Sequence, residues 1–142
     1  MNIFTKDNII MNQTFSDKEE AINAAGRILA DRGYVQPEYI ESMQKREKVI
    51  STYVGNKIAI PHGINGSESQ IMESGISLLQ VPQGVSFGKG KTAYIVIGIA
   101  GKNNTHMSIL TQLSEIVCDV ENVDKLIQAK DEQEILDIIG IK

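Results

Sequence analysis

Residues 93–100 read Ala93-Tyr94-Ile95-Val96-Ile97-Gly98-Ile99-Ala100. The run is nearly all apolar and rich in β-branched side chains, which fit a pleated surface well. A strand wetted on one face would alternate apolar with polar residues. This one does not, so it is expected to be a strand covered on both faces, as in a layered α/β domain. The same stretch is the longest strongly apolar one in the chain. A membrane-spanning helix needs about 20 such residues, so the run points to a buried sheet and not to an anchor.

Shorter signals radiate from this strand. Ile76–Val81 reads as a second strand, with Pro82-Gln83-Gly84 as the turn after it. Lys57-Ile58-Ala59-Ile60 reads as a third, ending at Pro61, which has no N–H to give a ladder. Downstream, Gly101-Lys102-Asn103-Asn104-Thr105 is a turn into a helix. There Ile109, Leu110, Leu113, Ile116 and Val117 recur at helical spacing. Two short helices are expected near 122–129 and 132–139, the latter stopped by Gly140. Upstream, residues 16–32 read as a helix opened by a Ser16/Glu19 capping box and closed at Gly33. Its apolar face is Ala21, Ile22, Ala25, Ile28 and Leu29. A second helix should start near Pro37 and run to about Val49, with Ile40 and Met43 on its apolar side.

Helices, then strands, then helices, without repeat or linker, predict one α/β layered domain over residues 1–142, with a small central sheet. A chain of 142 residues can bury about 70% of its unfolded surface without disulfides or metal. Its net charge is −4, and its one tight basic cluster, Lys45, Arg46 and Lys48, is interrupted by Glu47. That is a poor footprint for nucleic acid. The single cysteine, Cys118, forms no internal disulfide. Following Ile116 and Val117, it is expected to be a buried, inert thiol. The N-terminus has no apolar signal-peptide core, so a cytoplasmic chain without membrane insertion is expected.

The chain has two histidines. His62 follows the strand and Pro61 directly, at the carboxyl end where ligands gather in α/β sheets. Gly63 adds no side chain, which would let a partner approach. His106 falls in the first turn of its helix, three, four and seven residues before Ile109, Leu110 and Leu113. That spacing turns it inward, beside backbone N–H groups that attract phosphate. Imidazole is neutral and nucleophilic near pH 7, and a phospho-imidazole is readily handed on where a serine phosphoester is not. Either ring could instead be structural, or a metal ligand. No Cys or Glu at ligand spacing accompanies them, so neither a metal nor a cofactor is expected.

The stretch Arg46-Glu47-Lys48-Val49-Ile50-Ser51-Thr52-Tyr53-Val54-Gly55-Asn56-Lys57-Ile58-Ala59-Ile60-Pro61-His62-Gly63 closely resembles the signature of mannitol/fructose-type enzyme IIA (EIIA) domains of bacterial sugar phosphotransferase systems. The resemblance runs over almost the whole chain, from Asn12-Gln13 and the helix opening at Ser16 onward. Gly33-Tyr34-Val35, Pro37-Glu38-Tyr39, the segment Val81–Gly88 and the turn Asn103-Asn104-Thr105-His106 look like the mannitol branch. The family's phosphorylated histidine falls on His62, its second active-site histidine on His106 and its arginine on Arg46.

The resemblance implies a mixed sheet flanked by helices. It implies a phosphoryl group arriving from the phosphohistidine of the carrier protein HPr and leaving to a cysteine on the EIIB domain of a mannitol permease. Arg46 would offer phosphate a planar, permanent charge. Thr52 would hold the loop or donate to phosphate. An apolar patch with a polar rim around His62 would serve weak, transient docking. The alternatives are a fructose-type or a nitrogen-type EIIA, relaying to another sugar or acting as a regulator, and a binding module that merely keeps the fold.

Overall fold

The computed structural model describes residues 2–103 and 105–141, so Asn104 of the expected turn and the two chain ends lie outside the described residues. The chain runs β1 (Ile9–Ile10), α1 (Lys18–Asp31), α2 (Tyr39–Val49), β2 (Tyr53–Gly55), β3 (Ile58–Ala59), β4 (Gly75–Gly88), β5 (Lys91–Ala100), α3 (Thr105–Val117), α4 (Val120–Gln128) and α5 (Glu132–Ile139). Short 3-10 turns lie at Lys6–Asn8 and Glu68–Gln70. The five strands form one sheet in the order β1-β4-β5-β3-β2. It is mixed, as the resemblance implied. β4 and β5 are an antiparallel pair, β1 joins β4 in parallel, β3 joins β5 in parallel, and β2 closes the edge antiparallel to β3.

The apolar run does sit in the middle, and its alternate side chains serve two cores. Val96 and Ala100 face α1 and α2, packing with Ala21, Ala25, Leu29 and Met43. Ile95, Ile97 and Ile99 face the other way, against Ile109 and Leu113 of α3, Leu126 of α4, and Ile135 and Ile139 of α5. Gly98 interrupts the run for a steric reason. A Cβ there would lie 2.5 Å from Ser77 Oγ and 3.1 Å from Ala25 Cβ, so its absence lets α1 lie close on the sheet.

Several boundaries differ from the sequence reading. The first helix is capped by Asp17, whose Oδ1 accepts from Glu20 N, while Glu20 Oε1 accepts from Ser16 N. The reciprocal pair is thus one residue later than Ser16/Glu19. α2 begins at Tyr39, two residues beyond Pro37. Pro82-Gln83-Gly84 does not end β4. Between the pairs Gln80↔Ile95 and Val85↔Ala93, five steps on β4 match two on β5, leaving three extra residues (5 − 2 = 3) in a bulge that the strand passes through. The chain reverses at Lys89-Gly90 instead, with Gly90 at φ 74°. Cys118 is exposed, not buried. α3 has ended by then, and Sγ donates to the Glu115 carbonyl at 3.2 Å on the surface.

Candidate functional site

Strand pairing carries His62 to its place. Beyond β3, the Pro61 carbonyl accepts from Ile99 N at 2.9 Å and His62 bridges Ile99 in parallel. β5 ends beside it at Ala100, and the chain turns into α3, whose second residue is His106. The two imidazoles meet with ring centroids 4.9 Å apart and planes tilted by 56°. Gly101 makes that approach possible. A Cβ on it would stand 2.6 Å from His106 N and collide with His106 Cα.

The His62 ring is fixed by its own strand. Nδ1 lies 2.8 Å from the Ile60 carbonyl oxygen. A carbonyl can only accept, so Nδ1 carries the proton and Nε2 keeps the lone pair. Gly63 N donates to Tyr39 Oη at 2.8 Å, and that hydroxyl donates to the Ile99 carbonyl at 2.8 Å. Burial pushes the Tyr39 hydroxyl up to about 12, against the lowering influence of Gly63 N–H and with a further push from Glu68. It therefore stays a neutral strut. Gly63 has a packing reason as well as an access one, since a Cβ would lie 2.5 Å from both Ser67 Oγ and Tyr39 Cε1.

Together, Tyr39, Arg46, His62, Gly63, Glu68 and His106 line a cleft of about 160 Å³. Pockets that enclose small organic ligands run to roughly 300–1,000 Å³, so this one suits a phosphoryl group better than a sugar. Burial holds the His62 ring below its ordinary value of 6.5. The bond to Ile60 and the Glu47 carboxylate oppose that, while His106 and Arg46 reinforce it. Burial also lowers His106, opposed by Glu68 and reinforced by Arg46. Both rings are therefore neutral at pH 7. Arg46 Nη1 donates to the Ile50 carbonyl at 2.6 Å, a contact that leaves its charge available to an anion in the cleft.

Thr52 is placed differently from a phosphate donor. It is buried, and its N and Oγ1 both donate to Glu47 Oε1, at 2.8 and 2.6 Å. It holds the loop, and it does not line the cleft. The sequence reading overlooked Tyr39, Gly101, Glu68 and Glu47. Glu47 carried a signal, being a carboxylate inside a basic cluster and next to Arg46. Among the described residues, no three His, Cys, Asp or Glu side chains gather as metal ligands, and no helix is long and apolar enough to cross a membrane.

The sequence and the fold around this cleft are similar to those of known proteins. Residues 2–140 match the family described as "Phosphoenolpyruvate-dependent sugar phosphotransferase system, EIIA 2". The mannitol-specific phosphotransferase enzyme IIA component of Bacillus subtilis (strain 168) is 49% identical over 140 residues, covering 99% of this chain and 98% of that one. The fold matches enzyme IIAMTL of Escherichia coli, solved in complex with phosphorylated enzyme IIBMTL, at a TM-score of 0.92 and 35% identity over 96% of each chain. The crystal structure of IIA mannitol from Escherichia coli matches at 0.90 and 36% identity, covering 96% of this chain and 98% of that one. The chain belongs to the type-2 EIIA family of the phosphoenolpyruvate-dependent sugar phosphotransferase system. It is a phosphotransferase component, a relay for phosphoryl groups.

Proposed function

We propose that this chain relays phosphoryl groups in mannitol uptake, taking them from phospho-HPr on His62 Nε2 and passing them to a cysteine of the EIIB domain of a mannitol permease, at the cytoplasmic side of the membrane. The observation that carries the reading is the fixed ring of His62, with Nδ1 bonded to the Ile60 carbonyl and His106 4.9 Å away. The mannitol assignment is supported by the relatives above, since the sugar does not touch this domain. In the first step the Nε2 lone pair attacks phosphorus, and the phosphorus–nitrogen bond to the donor histidine breaks with its electron pair on the donor. In the second, a cysteine thiolate attacks the same phosphorus. The bond to Nε2 breaks, and the pair returns to a neutral imidazole. Arg46 and an N–H of His106 stabilise the charge on the phosphoryl oxygens during both steps, work that is positioning plus electrostatics. Val49 and Ile50, which follow Arg46, and Met107, which follows His106, are exposed and supply apolar docking surface near the mouth.

The test is labelling by phospho-HPr, with the modified residue located by mass spectrometry. Wild type gains one acid-labile phosphoryl group on His62 and loses it to a mannitol EIIB domain. His62→Ala gains none while keeping its circular dichroism spectrum. Full-rate labelling of that variant would overturn the assignment, and transfer only to a fructose EIIB domain would overturn the sugar.

A further inference from the structure

We propose that Glu47 is a positioning residue for phosphoryl transfer, holding the His62 ring through a chain of hydrogen bonds that runs by way of Thr52 and Ile60. This rests on His62 being the residue phosphorylated. Glu47 is buried at 5% exposure in the last turn of α2. Its Oε1 accepts from Thr52 N at 2.8 Å and Thr52 Oγ1 at 2.6 Å, and its Oε2 accepts from Lys18 Nζ at 3.3 Å. The Thr52 carbonyl then accepts from Ile60 N at 3.0 Å. The Ile60 carbonyl in turn accepts from His62 Nδ1 at 2.8 Å. Each link fixes the next, so the carboxylate at one end determines where the carbonyl that sets the ring's tautomer lies. Glu47 and Arg46 are neighbours on one helical turn. That turn therefore sends one side chain to the cleft, for the anion, and the other inward, for the nucleophile's support.

The carboxylate is ionised. Burial would push it up, but hydrogen bonds from Ser51, from the Thr52 side chain and backbone and from Lys18 outweigh that and hold it low. It is the anion that supports a proton on His62, against Arg46 of the same helix and His106 of α3. For His106 the corresponding carboxylate is Glu68. The two rings should therefore answer to different acids. The Glu47 charge acts on the His62 titration directly, so a loss of kcat shared with Thr52→Val, which removes a link and no charge, is what separates positioning from charge. At metal sites, removing the outer-shell partner of a ligating histidine typically costs about 10–100-fold in affinity or activity, and a nucleophilic histidine held by the same kind of bond is expected to lose activity at the lower end of that range.

The experiment compares wild type, Glu47→Gln and Thr52→Val in labelling kinetics with phospho-HPr, and follows both histidines by NMR titration in the intact chain. Glutamine keeps one oxygen for Thr52 but removes the charge. The expected result for Glu47→Gln is a fall in kcat of about tenfold with KM little changed. The His62 titration should move to lower pH while that of His106 stays in place. Thr52→Val removes one link and keeps the backbone links, so it should show a smaller loss of kcat, and it decides the matter if Glu47→Gln does not fold at the assay temperature. An unchanged kcat in both variants, or a rise in KM alone, overturns the proposal. Wild type labelled elsewhere than at His62 overturns the underlying reading instead, which separates the two failures.

Discussion

The two histidines reach one cleft by opposite routes. His62 rides on the extension of a strand whose backbone is tied at every step, by Thr52 to Ile60, by Ile99 to Pro61 and by Tyr39 to Gly63. His106 rides on the first turn of a helix, placed there by close packing against Gly101. Among the described residues, no hydrogen bond fixes its tautomer. On the relay proposed above, with His62 as nucleophile and His106 as charge stabiliser, the difference matches two tasks. A nucleophile must offer one defined nitrogen, so its ring is locked. A group that stabilises charge on a moving phosphoryl must follow it, so its ring is left free to offer either N–H. Placement by packing is enough for the second task but not for the first.

Breaking the helix side gives the largest effect that still leaves the nucleophile intact. In His106→Ala, labelling of His62 should continue but slow by about 100-fold, the loss typical when one donor to a developing anion is removed. Rapid-quench kinetics with phospho-HPr measure this, and unchanged rates would take His106 out of the mechanism. Gly101→Ala is the gentler attack on the same side. Its new methyl would press on the His106 backbone, 2.6 Å from the nitrogen, so the start of α3 must shift. Overpacking of this kind costs about 1–3 kcal/mol, and displacing His106 should slow transfer by less than the roughly 100-fold that a 1 Å misplacement can cost. A thermal melt and the same kinetics read both. A large loss of stability with full transfer rate would mean that packing against Gly101 does not place the imidazole.

The strand side was far more legible in the sequence than the helix side. Ala93–Ala100 announced the central strand because β-branched residues without alternation have few other homes, and His62 followed from its place after Pro61. β1 and β2 were not legible, since two or three residues cannot display a period and neither has a proline close behind it, as the equally short β3 has in Pro61. Pro82-Gln83-Gly84 was read as a turn because its residues are turn formers, but the pairing on either side of it holds the bulge in the ladder. Cys118 followed an apolar helical pattern, but the helix had already ended. Tyr39 and Gly101 serve the site only through contacts that are 24 residues and five residues away in sequence, from Tyr39 to Gly63 and from Gly101 to His106. No local pattern reveals such pairings. Glu47 is the instructive case, because its oddity among Lys45, Arg46 and Lys48 was visible while its job required the fold.

The smallest expected effect is a pH dependence that the two rings share despite their different routes. Both are held below the ordinary value of 6.5, chiefly by burial, which disfavours the charged form. The unfolded chain takes up protons at the ordinary value, while the folded chain resists until lower pH. Stability is therefore full above 6.5 and is lost as pH falls through the lowered native values. Glu47 acts in a separate window, since its ordinary value is 4.5 and its native value lies lower still. The melting temperature should accordingly be flat from pH 6.5 up to the range near 10 where an unfolded tyrosine ionises, and decline between 6.5 and the carboxylate range. The single variants His62→Ala and His106→Ala should each remove part of that decline, and the double variant nearly all of it. If the double variant keeps the wild-type slope, the burial of the imidazoles is not what opposes their charging. The contrast between the locked and the free ring would then have to rest on the hydrogen bonds alone.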